Sequence, residues 1–369
     1  MTRRLHVAFF GSSLVSAYWN GAATYYRGVI KALADRGHRA TFYEPDAYER
    51  QKHRDIDEPP WCDVVVYAGD DDRAAQRVLA RAAREADVLV KASGIGVYDR
   101  LLEAAIPYAK RASALAVYWD VDAPATLARL RRDPADPLRR RIPDFDCVLT
   151  YGGGDAVVRG YTALGAKRCV PIYNAVDPET HHPGVRDPRF TADLSLLANR
   201  LPDREARVDE FFVRAAREAP EARFVLGGSG WEDKALPPNA RAVGHVYTAD
   251  HNAFNASARL VLNVARDSMA EIGFSPATRI FEAAGAGACI VTDAWDGIER
   301  FLEPGREVLV AESGRDVAAF VRDVDPARAR AIGAAARARV LAEHTYARRA
   351  AEVEALFAPR ARELAAIQP

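Results

Sequence analysis

The 369-residue chain carries 51 Lys+Arg against 51 Asp+Glu, a formal net charge of zero. That balance gives no global attraction for nucleic acid or an anionic membrane surface. With 49% hydrophobic residues and no low-complexity tract, the chain reads as fully folded and, at this length, as two domains.

The first strand enters directly from the N-terminus. "LHVAFFG" (residues 5–11) is an apolar run ending in glycine, too short for a signal peptide or a membrane span. Tyr26, Val29, Ile30 and Leu33 follow at helical spacing, with Gly37 as a stop. "HRATFYEP", "DVVVYAG", "ADVLVKASG", "SALAVYWD", "FDCVLTYGGG" and "KRCVPIY" are then read as strands, mostly separated by Ala- and Arg-rich helices. Continuous apolar strands with intervening helices imply a parallel sheet covered on both faces. The charged stretch "RRDPADPLRRR" (residues 131–141) reads as a solvated loop rather than a polyanion site. Cys62, Cys147, Cys169 and Cys289 lie far apart with no metal spacing. They read as free thiols of a reducing compartment, hence a cytoplasmic protein with no transmembrane segment.

Periodicity breaks at residues 173–192, a stretch rich in Pro, Asp and His that reads as an interdomain linker. A second alternating series begins with "DLSLLAN" and runs through "RFVLGGSG", "ARAVGHV", "RLVLNVAR", "ACIVTD" and "REVLVAES". From Pro326 the Ala/Arg-rich tail predicts one or two amphipathic helices. The boundaries are therefore residues 1–172, the 173–192 linker, residues 193–345, and a C-terminal helix over 346–369 that packs back on the first domain. The fold class is α/β: two Rossmann-like doubly wound parallel-sheet domains facing a cleft. Ligands in such sheets sit beyond the carboxyl ends of the strands.

Strand exits thus supply the candidate residues. After the first strand there is no G-x-G-x-x-G, which argues against dinucleotide binding. Asn20 and Gly21 precede a helix carrying Thr24 and Arg27, read either as a plain cap with a solvated Arg27 or as a polar helix start aimed into the cleft. His53 lies in a charged exit loop that is either surface or substrate-facing. "YWDVDAP" ends a buried strand on Asp120, able to orient hydroxyls or act as a general base, with Asp122 either beside it in function or capping the next helix. In the second half, Arg200, Arg204 and Arg207 stand at a strand exit and helix start, which suits bidentate phosphate contacts. Gly227, Gly228 and Gly230 allow a ligand to lie against backbone. Asn263 and Arg266 end another strand. Ser275-Pro276 opens a helix on which Arg279 and Glu282 share a face. Their pairing is either internal to the helix or aimed at a ligand.

Several ordered motifs carry a family resemblance. They are "GHRATFYEPD" (37–46), "YWDVDAP" (118–124), "YGGG" (151–154), "NAVDPETHHP" (174–183), the long block "LNVARDSMAEIGFSPATRIFEAAGAGACIVTDAWDGIERFLEPGREVLV" (262–310) and "AEHTYARRA" (342–350). Together they resemble the GT-B glycosyltransferases, and specifically the CgeB-like group, over essentially the whole chain. The resemblance implies a nucleoside diphosphate sugar donor of UDP, GDP or dTDP type and no permanent cofactor or metal. It implies transfer with retention to a small-molecule, glycan or protein acceptor. Glu282 matches the glutamate that accepts from the ribose hydroxyls. Arg200 and Arg279 match the diphosphate cations, with Arg204 or Arg207 as a second cation. Ser275, Ala277 and Thr278 would add donors at the helix start. The acceptor would lie against Asn20, Gly21, Thr24 and Asp120.

The chain also departs from the pattern. Related retaining enzymes carry a second glutamate where this chain has Phe274. Ala175 replaces a glycine and His181 an aromatic in the linker motif, and Asp120 stands where many relatives have histidine. A nucleotide-sugar epimerase and a non-catalytic sugar-nucleotide binding protein are the competing readings. A pyridoxal-dependent phosphorylase would need a Schiff-base lysine, and the few lysines lie in no such motif.

Overall fold

The computed structural model describes residues 3–365, with side chains through residue 357. It divides into two compact units, Met1–Tyr173 with Tyr346–Pro369, and Asn174–Thr345. The first holds a seven-stranded parallel sheet: β1 His6–Phe10, β2 Arg39–Asp46, β3 Asp63–Ala68, β4 Val88–Ala92, β5 Leu115–Asp120, β6 Cys147–Thr150 and β7 Cys169–Pro171. Their order is β3-β2-β1-β4-β5-β6-β7. The second holds β8 Ala192–Leu197, β9 Phe224–Gly227, β10 Ala240–Gly244, β11 Ala258–Asn263, β12 Ile290–Asp293 and β13 Leu309–Ala311, in order β10-β9-β8-β11-β12-β13.

The reason is visible in the strands themselves. β1, β4 and β5 are buried at every residue, as strands covered on both faces must be. The edge strands β3 and β10 carry exposed positions instead. The strand order reverses between β1 and β4 in the first sheet and between β8 and β11 in the second, and the loops leaving those strands are where such sheets gather ligands. The predicted α/β class with two doubly wound sheets is observed.

Two local readings change, and one feature is new. Residues from Asn174 onward belong to the second unit, so the 173–192 stretch does not stand apart as a linker: Asn174 donates Nδ2 to the Pro276 carbonyl at 3.0 Å, and His181 is buried. The 131–141 stretch is not all loop, since Ala123–Arg132 and Pro137–Arg141 are helical and Asp136 caps the second by accepting from the Leu138 amide. The helix around Phe211 and Phe212 contains a π-helical segment, Asp209–Arg214, whose apolar residues fill the second unit's core.

The tail forms two helices, Pro326–Glu343 and Tyr346–Ala365. The latter lies against the helix Ala23–Asp35. A Cβ on Gly28 would come within 2.1 Å of the Tyr346 ring, so only glycine lets the helices approach this closely. Arg36 pairs with Glu354, and Arg349 Nε donates to the Tyr173 carbonyl at 3.1 Å. All four cysteines are free, and burial pushes the Cys62, Cys169 and Cys289 thiols up to about 12, away from thiolate chemistry. No described helix is long and apolar enough to cross a membrane.

Candidate functional site

At the carboxyl edge of the second sheet, the loop before the helix Thr278–Gly285 is held by its own backbone. Phe274 adopts a positive φ of 47° and donates its amide to the Asp296 carbonyl at 2.6 Å. Its ring lies where a Cβ on Gly297 would be 2.3 Å away. Ser275 is buried and its hydroxyl donates to the Gly273 carbonyl at 3.0 Å, so the side chain is spent within the loop. Thr278 Oγ1 donates to Asn174 Oδ1 at 3.1 Å. The N-cap position falls on Ala277, which has no capping side chain.

Arg279 follows directly. Its Nη1 lies 3.2 Å from Glu282 Oε2, yet Nε and Nη1 are both buried without a hydrogen bond of acceptable geometry. Burial lowers its pKa and the Glu282 charge opposes that. A buried guanidinium with unsatisfied donors is costly and is the kind of group a ligand completes. Glu282 is 3% exposed, with Oε1 3.8 Å from His181 Nε2. His181 Nε2 in turn lies 3.3 Å from His251 Nδ1, the rings stacked at 5.6 Å. Burial holds both imidazoles neutral and pushes His251 down to about 3. The ligating atoms of His181, His251 and Glu282 lie within 4.8 Å of one another. Arg279 cancels the single carboxylate charge of that trio and would repel a cation, so we read it as a hydrogen-bonding network.

Of the other predicted cations, Arg200, Arg207 and Arg266 are ion-paired within the unit. Arg200 is clamped by Glu205 (Nε 3.0 Å, Nη2 2.6 Å) and by Asp233 (2.6 Å), and its guanidinium lies 5.8 Å from the Trp231 ring. The Arg200 and Lys234 charges hold Glu205 down near 2. Arg266 donates to Asp203 at 2.7 Å, and Arg204 to the Asn199 carbonyl at 3.1 Å. Arg207 grips the fully buried Asp293 with Nε and Nη2 at 2.9 and 2.6 Å, while Asp293 also accepts from the Ala265 amide. Asn263 braces β11 to β12 through Thr292 Oγ1 at 3.0 Å. Gly228 is there for backbone: at φ 119° a Cβ would lie 2.1 Å from the Ala198 carbonyl oxygen.

In the first unit, Asp120, the candidate base, lies at the end of β5. It has no exposure and accepts from Ser93 Oγ (2.7 Å), the Asp122 amide (2.9 Å), Thr126 Oγ1 (3.2 Å) and the Tyr161 hydroxyl. Both oxygens are engaged, and the carboxylate ties β4, β5 and two helices together. Asp122 occupies an N-cap position without a capping side-chain bond. It lines a cavity of about 360 Å³ with Ser93, Asp99, Glu103 and Arg129.

Asn20 is buried and closes its own loop, donating to the Ser13 and Ser16 carbonyls. Arg27 is neither solvated nor open: it is buried, donates to the Leu14 carbonyl at 2.6 Å and holds both Asp55 oxygens at 3.0 and 2.7 Å. His53 stacks on Tyr18 at 4.0 Å. Gly21 is exposed and Thr24 half-buried, so these two remain available at the surface. His181, His251, Asn174 and Asp293, the partner of Arg207, were not put forward as site residues from sequence. Only the histidine at an aromatic position of the linker motif hinted at them.

Comparison with known proteins adds the following. Residues 204–355 match a family model described as glycosyl transferase-like. No curated protein sequence matches. Among solved structures, sucrose-phosphate synthase from Thermosynechococcus elongatus superposes with a TM-score of 0.72 at 14% identity, covering 99% of this chain and 100% of that one. HepE from Anabaena, solved with UDP-glucose, gives 0.66 at 14% identity over 99% and 100%. An alpha-glucosyltransferase solved with UDP-glucose and DNA containing an abasic site gives 0.70 at 11% identity over 96% and 100%. Two parallel α/β units and near-complete superposition on these structures give this chain the GT-B fold, and residues 204–355, most of the second unit and the start of the C-terminal helix, are similar to a glycosyl transferase-like domain.

Proposed function

We propose that the chain is a glycosyltransferase of the CgeB-like group, taking a sugar from a nucleoside diphosphate donor without metal and with retention. One observation carries this reading: Arg279, buried with two nitrogens lacking hydrogen bonds, at the uncapped start of the helix Thr278–Gly285 and beside Glu282. A diphosphate supplies the missing acceptors. The adjacent first-turn amides of Thr278 and Arg279 and the helix dipole favour the same charge. As the glycosidic bond to the donor breaks, negative charge grows on the leaving diphosphate, and a fixed guanidinium in a dry site stabilises it. Glu282 accepts from the ribose hydroxyls, its second oxygen steadied by the His181–His251 network. The acceptor, a small molecule, glycan or protein, docks on the first unit near Gly21, Thr24 and His53. The enzyme works in the cytoplasm.

UDP, GDP, dTDP and ADP are screened for thermal stabilisation, and the matching sugar nucleotides for turnover. A nucleotide at 100 times its Kd adds about 2.7 kcal/mol to stability. A melt that none of the four moves overturns the reading.

A second reading, a non-catalytic sugar-nucleotide binding protein, is favoured by Phe274. It puts a ring packed on Gly297 where related retaining enzymes have a carboxylate. Stabilisation by a nucleotide with no turnover of any matching sugar nucleotide supports it.

A further inference from the structure

The first unit also contains a buried arginine with a donor left without a hydrogen bond. Arg50 is 7% exposed. Its Nε is buried with no hydrogen-bond partner, and Nη1 has only two contacts, to the Ser12 and Ile95 carbonyls, each at 3.4 Å. No carboxylate among the described residues pairs with it. Glu44, whose charge acts weakly on it, is committed elsewhere: it accepts from the Ser13 hydroxyl, the Leu14 amide and Gln51. Asp99 is likewise taken by Lys91 and the Gly96 amide. Burying a guanidinium without a counter-ion costs several kcal/mol, and a fold tolerates that where the ion is completed from outside.

Its location says by what. Ser12 leaves β1 and Ile95 leaves β4, the pair of strands between which the sheet order reverses, so Arg50 spans the crevice where a doubly wound sheet receives its ligand. The backbone that delivers it is strained. Tyr48 and Glu49, the two residues before it, both adopt left-handed φ values of 56° and 57°, a cost borne by non-glycine residues mainly at functional sites. The exposed Tyr48 ring lies 5.0 Å from the guanidinium, and Gly96 closes on that ring where a Cβ would be 2.6 Å from the hydroxyl oxygen.

We infer that Arg50 is the anchor of an anion site in the first unit, and that the acceptor substrate carries a phosphate or carboxylate group which it binds. The anion site stands on Arg50 alone. Its assignment to the acceptor rests on the donor reading of the second unit. A guanidinium presents N–H groups in a fork that either oxyanion can accept from.

The test uses the full chain with UDP saturating, so that Arg279 is occupied. Inorganic phosphate, glucose 6-phosphate, glucuronate and neutral glucose are titrated by calorimetry. The wild type is expected to bind at least one anionic probe more tightly than glucose. The phosphate and carboxylate arms show which group the site prefers. Arg50→Gln is expected to lose that preference by roughly 10- to 100-fold, with glucose and UDP affinities unchanged. Arg50→Lys, which keeps the charge but not the fork, falls between. The inference fails if the wild type shows no preference for anions, or if Arg50→Gln weakens glucose and the anions alike, which would make Arg50 a loop anchor only. If Arg50→Gln does not fold, the wild-type preference and its reduction in Arg50→Lys decide. Failure of the donor reading is separate: UDP would not bind, while Arg50 could still take phosphate.

Discussion

Arg279→Gln separates the phosphate and ribose roles within one helix. The substitution keeps a polar, hydrogen-bonding side chain, though a shorter one, and removes the charge beside Glu282. Two nitrogens, Nε and Nη1, have no hydrogen bond in the free protein, so their bonds to a diphosphate displace no hydrogen bond, only the 3.2 Å ion pair of Nη1 with Glu282. A hydrogen bond to a charged group contributes about 1.5–3 kcal/mol, so losing one effective bond weakens UDP binding roughly 10- to 150-fold. Uridine lacks phosphate and should bind Arg279→Gln as it binds the wild type. Glu282→Gln is the mirror experiment. The ribose diol is common to both ligands, so UDP and uridine should weaken together, by about 1–2 kcal/mol. Calorimetry on the three proteins reads all six affinities. Arg279→Gln weakening uridine as much as UDP would refute the division of roles, because it would mean that Arg279 acts only by holding Glu282 in place. If the thermal screen selects another nucleotide, the same pairing of diphosphate and nucleoside applies.

The other predictions concern what holds the two edges together. His251 has a folded pKa of about 3 against 6.5 when free, so it must stay neutral in the native state. Its contribution is complete above pH 6.5 and declines by about 1.4 kcal/mol per unit as pH falls toward 3. In urea melts, the stability difference between pH 7.5 and pH 5 should shrink in His251→Phe by about 2 kcal/mol; an unchanged difference would mean that another group carries it. Asp120→Asn should cost about 2 kcal/mol of stability, because an amide replaces an acceptor facing Tyr161, while turnover per folded molecule stays near wild type. A large fall in kcat without a stability change would support Asp120 as a base. Gly228→Ala, with a Cβ 2.1 Å from the Ala198 carbonyl oxygen at φ 119°, should destabilise by about 3 kcal/mol. Gly244→Ala, at φ 71° with no atom near its Cβ, should cost about 1 kcal/mol. Equal losses in the two melts would contradict the steric account.

The architecture was legible because each local signal has one global solution. Fully apolar strands such as β1 and β5 can be buried only in a covered parallel sheet, and Ser275-Pro276 before an apolar periodicity can hardly be anything but a helix start. Arg279 and Glu282 were legible as a pair for the same reason, since an i,i+3 spacing fixes their proximity whatever the rest of the chain does. Charges whose partners are distant were not. Arg27 looked available until Asp55, 28 residues on, took both ends of its guanidinium. Arg200 finds Asp233 33 residues away, Arg207 finds Asp293 at 86, and His181 meets His251 at 70. Sequence names the charges at each strand exit, but the sheet order decides which exits become neighbours, and so which charges cancel. Arg50 shows the converse. Nothing in "AYERQKHRD" distinguishes it from Arg54 four residues on, yet folding leaves Arg54 at the surface beside Gln51 and seals Arg50 between β1 and β4 exits against two carbonyls and the Tyr48 ring, with no carboxylate partner among the described residues. In a doubly wound protein with balanced charge, function therefore resides less in how many cations line an edge than in which of them the fold leaves unanswered. Arg279, whose Nε and Nη1 lack hydrogen bonds despite its Glu282 partner, and Arg50, which no carboxylate among the described residues pairs, are the residues to mutate first, one in each unit.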